Sequence, residues 1–284
     1  MKNKFIQIML LLIPLFLLSG CQSARVKAQQ DQAKERLATA QVMFNEYCKK
    51  AGVTIHRTVD GVEGVFLMKV RPEGINYGNQ FRLDDPYGSD LGGYRYIGMF
   101  LRGNYESNYI PGKGGPIKGA PPRPKGYSYI EAIDPKDGKR YRYTGSMQDV
   151  EKTSSIIGGG DGRRKFIVRE YTLDKTPAPG KRPRYGLTYD DISTHKDREY
   201  WIAGSSLRVI DLETNEVIAE RIGYMMDYGQ GSRAGGRSPW LFAADNACPT
   251  FQRNPLRPPG RGASAQIRQA QYFIEKVLFP RKEN

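Results

Sequence analysis

The chain has 284 residues and a formal net charge of +14, with 44 Lys and Arg against 30 Asp and Glu. Its 32 glycines and 18 prolines exceed average usage and leave room for few long helices. Three cysteines and two histidines, too few and too scattered for a Cys/His metal spacing, argue against a structural zinc site.

Lys2 and Lys4 precede residues 5–18, which are nearly all apolar, the layout of a secretory signal. The apolar run is shorter than the roughly 20 residues that span a bilayer, and Pro14 interrupts it. Its end, Leu18-Ser19-Gly20-Cys21, resembles the lipobox of bacterial lipoproteins. That resemblance implies cleavage after Gly20, a diacylglycerol on the Cys21 thiol, and a mature chain beginning at Cys21. Residues 1–20 are then the signal peptide, 21–31 a polar tether, and 32–284 a single domain. Lipidation makes the protein anchored to a membrane rather than spanning it. By analogy with enterobacterial lipoproteins, Gln22 in place of Asp points to the outer membrane, facing the periplasm. Loss of Lys2 and Lys4 leaves a charge of +12. In an exported protein that charge points to anionic lipid, cell-wall polymer or an acidic protein as partner, with solubility charge spread over the whole surface as the alternative, and argues against nucleic acid.

With Cys21 lipidated, Cys48 and Cys248 remain in an oxidising compartment. They read as a disulfide, with two buried free thiols as the alternative. Residues 29–50 place Leu37, Ala40, Phe44, Tyr47 and Cys48 at spacings of three and four. This predicts an amphipathic helix, stopped at Gly52, with Cys48 on its buried face. Alternation over 53–59 and an apolar run over 66–70 flank Asp60-Gly61-Val62-Glu63-Gly64 and predict a hairpin. Further strands are expected at 94–101, 126–133, 140–144, 164–173 and 184–189, with exposed basic Pro/Gly loops over 111–126 and 174–186. Residues 199–227 carry the clearest local signal. Two runs of branched residues flank a turn holding Asn215, which predicts a long hairpin with positive φ at Asn215. Residues 237–249 read as a packed irregular segment. Residues 264–278 read as a C-terminal amphipathic helix with Ile267, Ala270, Ile274, Val277 and Leu278 on one face. No internal repeat argues for a solenoid or propeller. The fold class is therefore α+β: a largely antiparallel β-sheet braced by N-terminal and C-terminal amphipathic helices.

The lipobox, together with CKKAGVTIHRTVDGVEGVFL (48–67), WIAGSSLRVIDLETNEVIAERIGYMMD (201–227) and SPWLFAADNACP (238–249), resembles a family of proteobacterial outer-membrane lipoproteins. The resemblance covers most of the mature chain. It implies an address and a single-domain organisation, and no activity.

Few residues invite a chemical reading. His56 falls on the polar face of its strand beside Thr54 and Thr58. His195 has Asp190, Asp191, Asp197 and Glu199 close in sequence, the company a general base needs. Ser205 and Ser206 lack the second glycine of a nucleophile elbow. Residues 158–164, GGGDGRR, offer amides that suit an anion but lack the ending of a P-loop and read as a loop. Asp84, Asp85 and Asp90 lack calcium-loop spacing and read as turn residues. Residues 254–261, NPLRPPGR, read as a rigid strap or, alternatively, a polyproline segment presented to a partner. No residue is assigned to catalysis, to a cofactor or to a metal. The assigned sites are Cys21 for lipid and Cys48 with Cys248 for the disulfide. The functional expectation is non-catalytic binding of an envelope or periplasmic protein partner, immunity- or adaptor-like. The alternatives are a structural lipoprotein held to anionic cell-wall polymer or lipid, and a hydrolase using His195 with its carboxylates.

Overall fold

The computed structural model describes residues 2–73, 91–104, 125–155, 163–251 and 266–282, without the side chains of 2–24, 154–155 and 163–164. The Asp84, Asp85 and Asp90 turn, the 254–261 strap and most of the loops at 111–126 and 158–164 lie outside the described residues.

Helix α1 (Lys2–Lys50) contains the predicted 29–50 helix and also the stretch read as a tether. Residues 24–47 hold no glycine or proline and are rich in Ala, Gln, Lys, Arg and Glu. That composition favours helix whatever its polarity. Residues 25–36 are exposed, while Leu37, Ala40, Phe44, Tyr47 and Cys48 turn inward, as their spacing predicts.

Nine strands form one sheet in the order β1-β9-β8-β7-β3-β4-β5-β6, with β10 also on β9. The ranges are β1 (Gly52–Ile55), β3 (Gly64–Leu67), β4 (Tyr129–Ile133), β5 (Arg140–Ser155), β6 (Arg163–Pro177), β7 (Tyr185–Asp191), β8 (Ile202–Asp211), β9 (Glu216–Met226) and β10 (Ala247–Cys248). The sheet is mostly antiparallel, but β3 lies parallel to both neighbours, β4 and β7. A second, two-stranded sheet pairs β2 (Val59–Val62) in parallel with β11 (Leu278–Pro280).

The hairpin predicted from 53–59 and 66–70 does not form. β1 instead pairs with β9, from Gly52 opposite Ile222 to Ile55 opposite Ala219. Burial explains the choice: all four residues of β3 are buried, which suits a central strand covered on both faces. β1 exposes three of its four residues and fits an edge. The strand predicted at 94–101 is also corrected, to helix α2 (Gly93–Gly98). Tyr96 and Phe100 meet edge to face at 5.2 Å, an i, i+4 contact that overrides the β preference of the tyrosines. The 140–144 and 164–173 strands are longer than predicted and pair continuously from Tyr141 opposite Pro177 to Ser155 opposite Arg163. The β8–β9 hairpin forms as read, with Asn215 at φ 60. The C-terminal helix is shortened to α5 (Gln269–Ile274) because Leu278 joins the sheet beside Val59. Its face is right: Ala270, Ile274, Val277 and Leu278 are buried.

The main core lies between the sheet and α2 with α5, through Val65, Leu67, Ile130, Tyr96, Phe100, Phe273 and Ile274. At the other end the β8–β9 pair is covered on both faces. Ile202, Tyr224 and Met226 meet Ala40 and Phe44 of α1. Ala203 and Met225 meet Trp240 and Ala243 of helix α4 (Pro239–Ala243). Cys48 and Cys248, 200 residues apart, form a disulfide with Cα atoms 5.5 Å apart, joining α1 to β10. Helices thus brace the sheet in part: α1 through Ala40 and Phe44, and the shortened α5 through Phe273 and Ile274.

Two predictions follow from these ties. Closing a 200-residue loop is worth about 5 kcal/mol in the chain-entropy model, an upper figure for a compact unfolded chain. Urea unfolding with and without reductant should therefore show a loss of about 2–5 kcal/mol on reduction, and the Cys48→Ser, Cys248→Ser double variant should match the reduced protein. Asp211, fully buried, takes hydrogen bonds from Arg184 Nε and Nη2, Arg57 Nη2 and the Glu213 N–H. Arg184 first, then Arg57, holds its carboxyl well below the usual range. A depressed folded pKa adds stability above about pH 4, lost as pH falls towards the folded value. Asp211→Asn should lower the melting temperature at pH 7 and flatten its decline below pH 4.

Candidate functional site

Because β3 and β4 are parallel, the chain leaves both at the same edge of the sheet. Helix α2 packs across that edge, and a cavity of about 300 Å³ opens between the three. Val70, Arg71, Pro72 and Glu73 come from the chain beyond β3, and Gly93, Tyr94 and Ile97 from α2. The end of β4 gives Ile133 and Asp134, the following turn gives Pro135 and Lys136, and β5 gives Tyr143.

Each charged wall residue is positioned. Arg71 is buried, with its guanidinium 4.0 Å from the Tyr189 ring centre and 5.9 Å from that of Tyr96. Its carbonyl accepts the Gly93 N–H at 2.7 Å. Gly93 has φ +54, and a Cβ there would meet the Glu73 side chain. Asp134 caps the β4–β5 turn by accepting the Lys136 N–H at 2.9 Å, and it also accepts Lys175 Nζ. These two donors, Lys175 first, pull its carboxyl below the usual range, and the same bond raises Lys175. Burial pushes the Tyr143 hydroxyl up to about 12. The Tyr94 and Tyr143 rings lie 6.1 Å apart, and Lys136 Nζ is 6.0 Å from the Tyr94 ring centre. The described walls are mainly apolar and aromatic and hold no Ser, Cys or His. This arrangement suits binding of an apolar group at a charged rim.

A larger, open groove of about 660 Å³ lies between α1 and the chain at Glu199, Tyr200 and Trp201. There Arg36 donates to the Glu199 carbonyl and lies 5.9 Å from the Tyr200 ring centre. These contacts seat the helix, so the smaller cavity is the better candidate.

The residues singled out in the sequence fall as follows. Cys48 and Cys248 come together; Cys21 lies within α1, its side chain outside the described set. His195 opens helix α3 (His195–Glu199), is 63% exposed at its side chain, and reaches Glu199 at 3.5 Å. The other carboxylates near it in sequence turn elsewhere. Asp190 binds Lys69 and Arg208, Asp191 binds Arg198, and Asp197 caps α3 and accepts the Tyr47 hydroxyl. Ser205 and Ser206 are buried inside β8, and His56 is exposed. Among the described residues no three His, Cys, Asp or Glu side chains gather to hold a metal.

The cavity itself was missed from the sequence. One signal pointed there: Tyr-Arg-Tyr occurs twice, at 94–96 and 141–143, and Tyr94 and Tyr143 both line the cavity. No protein-family model, curated protein or solved structure matches the chain.

Gly93→Ala should cost about 1–2 kcal/mol of stability, because an L side chain is strained at positive φ, and should displace Glu73 across the cavity. Chemical denaturation of the two proteins side by side measures the first effect.

Proposed function

We propose that this chain is a lipid-anchored lipoprotein of the bacterial envelope, attached through Cys21, whose folded part binds a protein partner without catalysing a reaction. The observation that carries the reading is the partition of the cysteines. Cys48 and Cys248 are joined in the fold, which suits an oxidising compartment. Cys21 remains, at the end of an apolar run behind Leu18-Ser19-Gly20. The likeness to proteobacterial outer-membrane lipoproteins adds to this, and the outer membrane facing the periplasm is the proposed address. Among the described residues no helix is long and apolar enough to cross a membrane.

Helix α1 gives the anchor a definite reach. From Cys21 to Ala40, its first fully buried residue, the helix rises about 28 Å at 1.5 Å per residue. The folded part would stand clear of the headgroups while staying close to the membrane.

The test is expression of the full-length chain in a Gram-negative host fed a clickable fatty acid. The wild type should carry the label and sediment with outer membranes. Cys21→Ala should lose the label and leave that fraction. A label that survives Cys21→Ala, or a wild type without label, would sink the anchoring proposal.

A further inference from the structure

We propose that the cavity between α2 and the ends of β3 and β4 receives one aromatic or large aliphatic side chain from an acidic segment of the partner protein. The proposal rests on the partner-binding reading and names the chemistry of the contact.

Size comes first. A cavity of about 300 Å³ lies at the lower end of the range for ligand sites, and suits a single large side chain. Its mouth is apolar on both sides: Tyr94 and Ile133 are each 42% exposed. Large apolar side chains left in water around a concavity are what a protein interface uses, since binding energy concentrates where one anchor fills one pocket.

Charge selects the kind of segment. Lys136 on the rim, Lys139 in the same turn and Arg95 beside Tyr94 have no ion-pair partner among the described residues. Asp134, the carboxylate at the cavity end of β4, is already neutralised by Lys175 and by the Lys136 N–H. Among the described lining residues Glu73 is the opposing charge. The walls therefore favour an anchor flanked by carboxylates and disfavour one flanked by cations. Rim charges exposed to solvent are screened within about 8 Å at physiological ionic strength, so salt should weaken the acidic preference and spare the apolar contribution.

The test uses the oxidised full-length protein in detergent and two dye-labelled probes, acetyl-Glu-Glu-Phe-Glu-Glu-amide and the same peptide with Ala for Phe. Anisotropy should show the Phe peptide binding about tenfold or more tightly than the Ala peptide, the scale of one hot-spot side chain. Ile133→Trp, which fills the mouth, and Lys136→Glu should each weaken the Phe peptide severalfold. Glu73→Gln should tighten it, an effect that a damaged fold would not produce. Melting temperatures near wild type certify the variants. Equal binding of the two peptides, no binding of either at millimolar concentration, or indifference to all three substitutions would overturn the proposal. Envelope pull-downs separate it from the reading beneath. If wild type and Ile133→Trp retain the same protein equally, the pocket assignment falls and partner binding stands. If neither retains any protein, partner binding falls and takes the pocket assignment with it.

Discussion

Helix α1 is seated on the sheet around one stacked pair of rings. Tyr47 and Tyr224 lie 4.7 Å apart and within 11° of parallel, and the Tyr47 hydroxyl donates to Asp197 at 2.6 Å. That bond, reinforced by burial, pushes the phenol up to about 12. It couples three elements, because Asp197 also closes the capping box of α3 with Thr194. Phe44 and Ala40 bury beside the rings against Ile202 and Met226. Each large apolar side chain buried in this way contributes about 1.5–3 kcal/mol. The disulfide follows one residue after Tyr47 and fixes the end of the helix to β10. Were this seat lost, Ile202, Tyr224 and Met226 would face water, and the double covering of β8 and β9 would fail. Through this contact the sheet is connected to the whole of helix α1.

The large basic excess is partly consumed inside the molecule. Buried carboxylates are gripped by arginines: Asp211 at the end of β8 by Arg184 and Arg57, Glu131 in the middle of β4 by Arg142 and Arg140, and Asp227 after β9 by Arg237. Asp227 also accepts the N–H groups of Gly229 and Gly231, so one side chain shapes the whole turn after β9. Backbone strain sits in that turn, at Gln230, and beside it at Trp201, just before β8. Trp201 and Gln230 have positive φ, 56° and 45°, which is uncommon for side chains of that size. The Asp227 N–H donates to the Trp201 carbonyl at 3.0 Å, and Gln230 Nε2 to the Tyr200 carbonyl at 2.9 Å. These bonds offset a strain of about 1–3 kcal/mol per residue. Paired cations also lie over tyrosine faces, Arg142 over Tyr129 at 3.9 Å and Lys175 over Tyr141 at 3.7 Å. Formal charge therefore overstates the cationic surface, and among the described residues it is side chains outside any salt bridge, such as Lys136, that give it direction.

The cavity is a product of topology. Two parallel strands release their chains at one edge, where antiparallel neighbours would be joined by a tight turn. The segment beyond β3 and the turn after β4 are thereby left side by side, and α2 closes over them with Ile97 in the core and Tyr94 at the rim. Gly93 permits the close approach of Glu73.

The sequence by itself determined what depends on near neighbours. The helix face from Leu37 to Cys48, the β8–β9 hairpin with its left-handed Asn215, and the buried face of the last helix were all legible, because spacing and turn chemistry act within a few residues. The cysteine pairing followed by elimination from the expectation that Cys21 serves a lipid, and the fold joins Cys48 to Cys248. Tertiary structure decided what depends on competition between distant partners. β1 left the expected hairpin for β9 because β3 needed cover on both faces, and residues 93–98 coiled because Tyr96 and Phe100 reached the core together. The stretch expected as a tether, 21–31, continues helix α1, because its helix propensity acts whatever its polarity. The candidate site was invisible for the same reason as the strand order. Its walls come from residues 70–73, 93–97, 133–136 and 143, and only the parallel placement of β3 and β4 brings them to one edge.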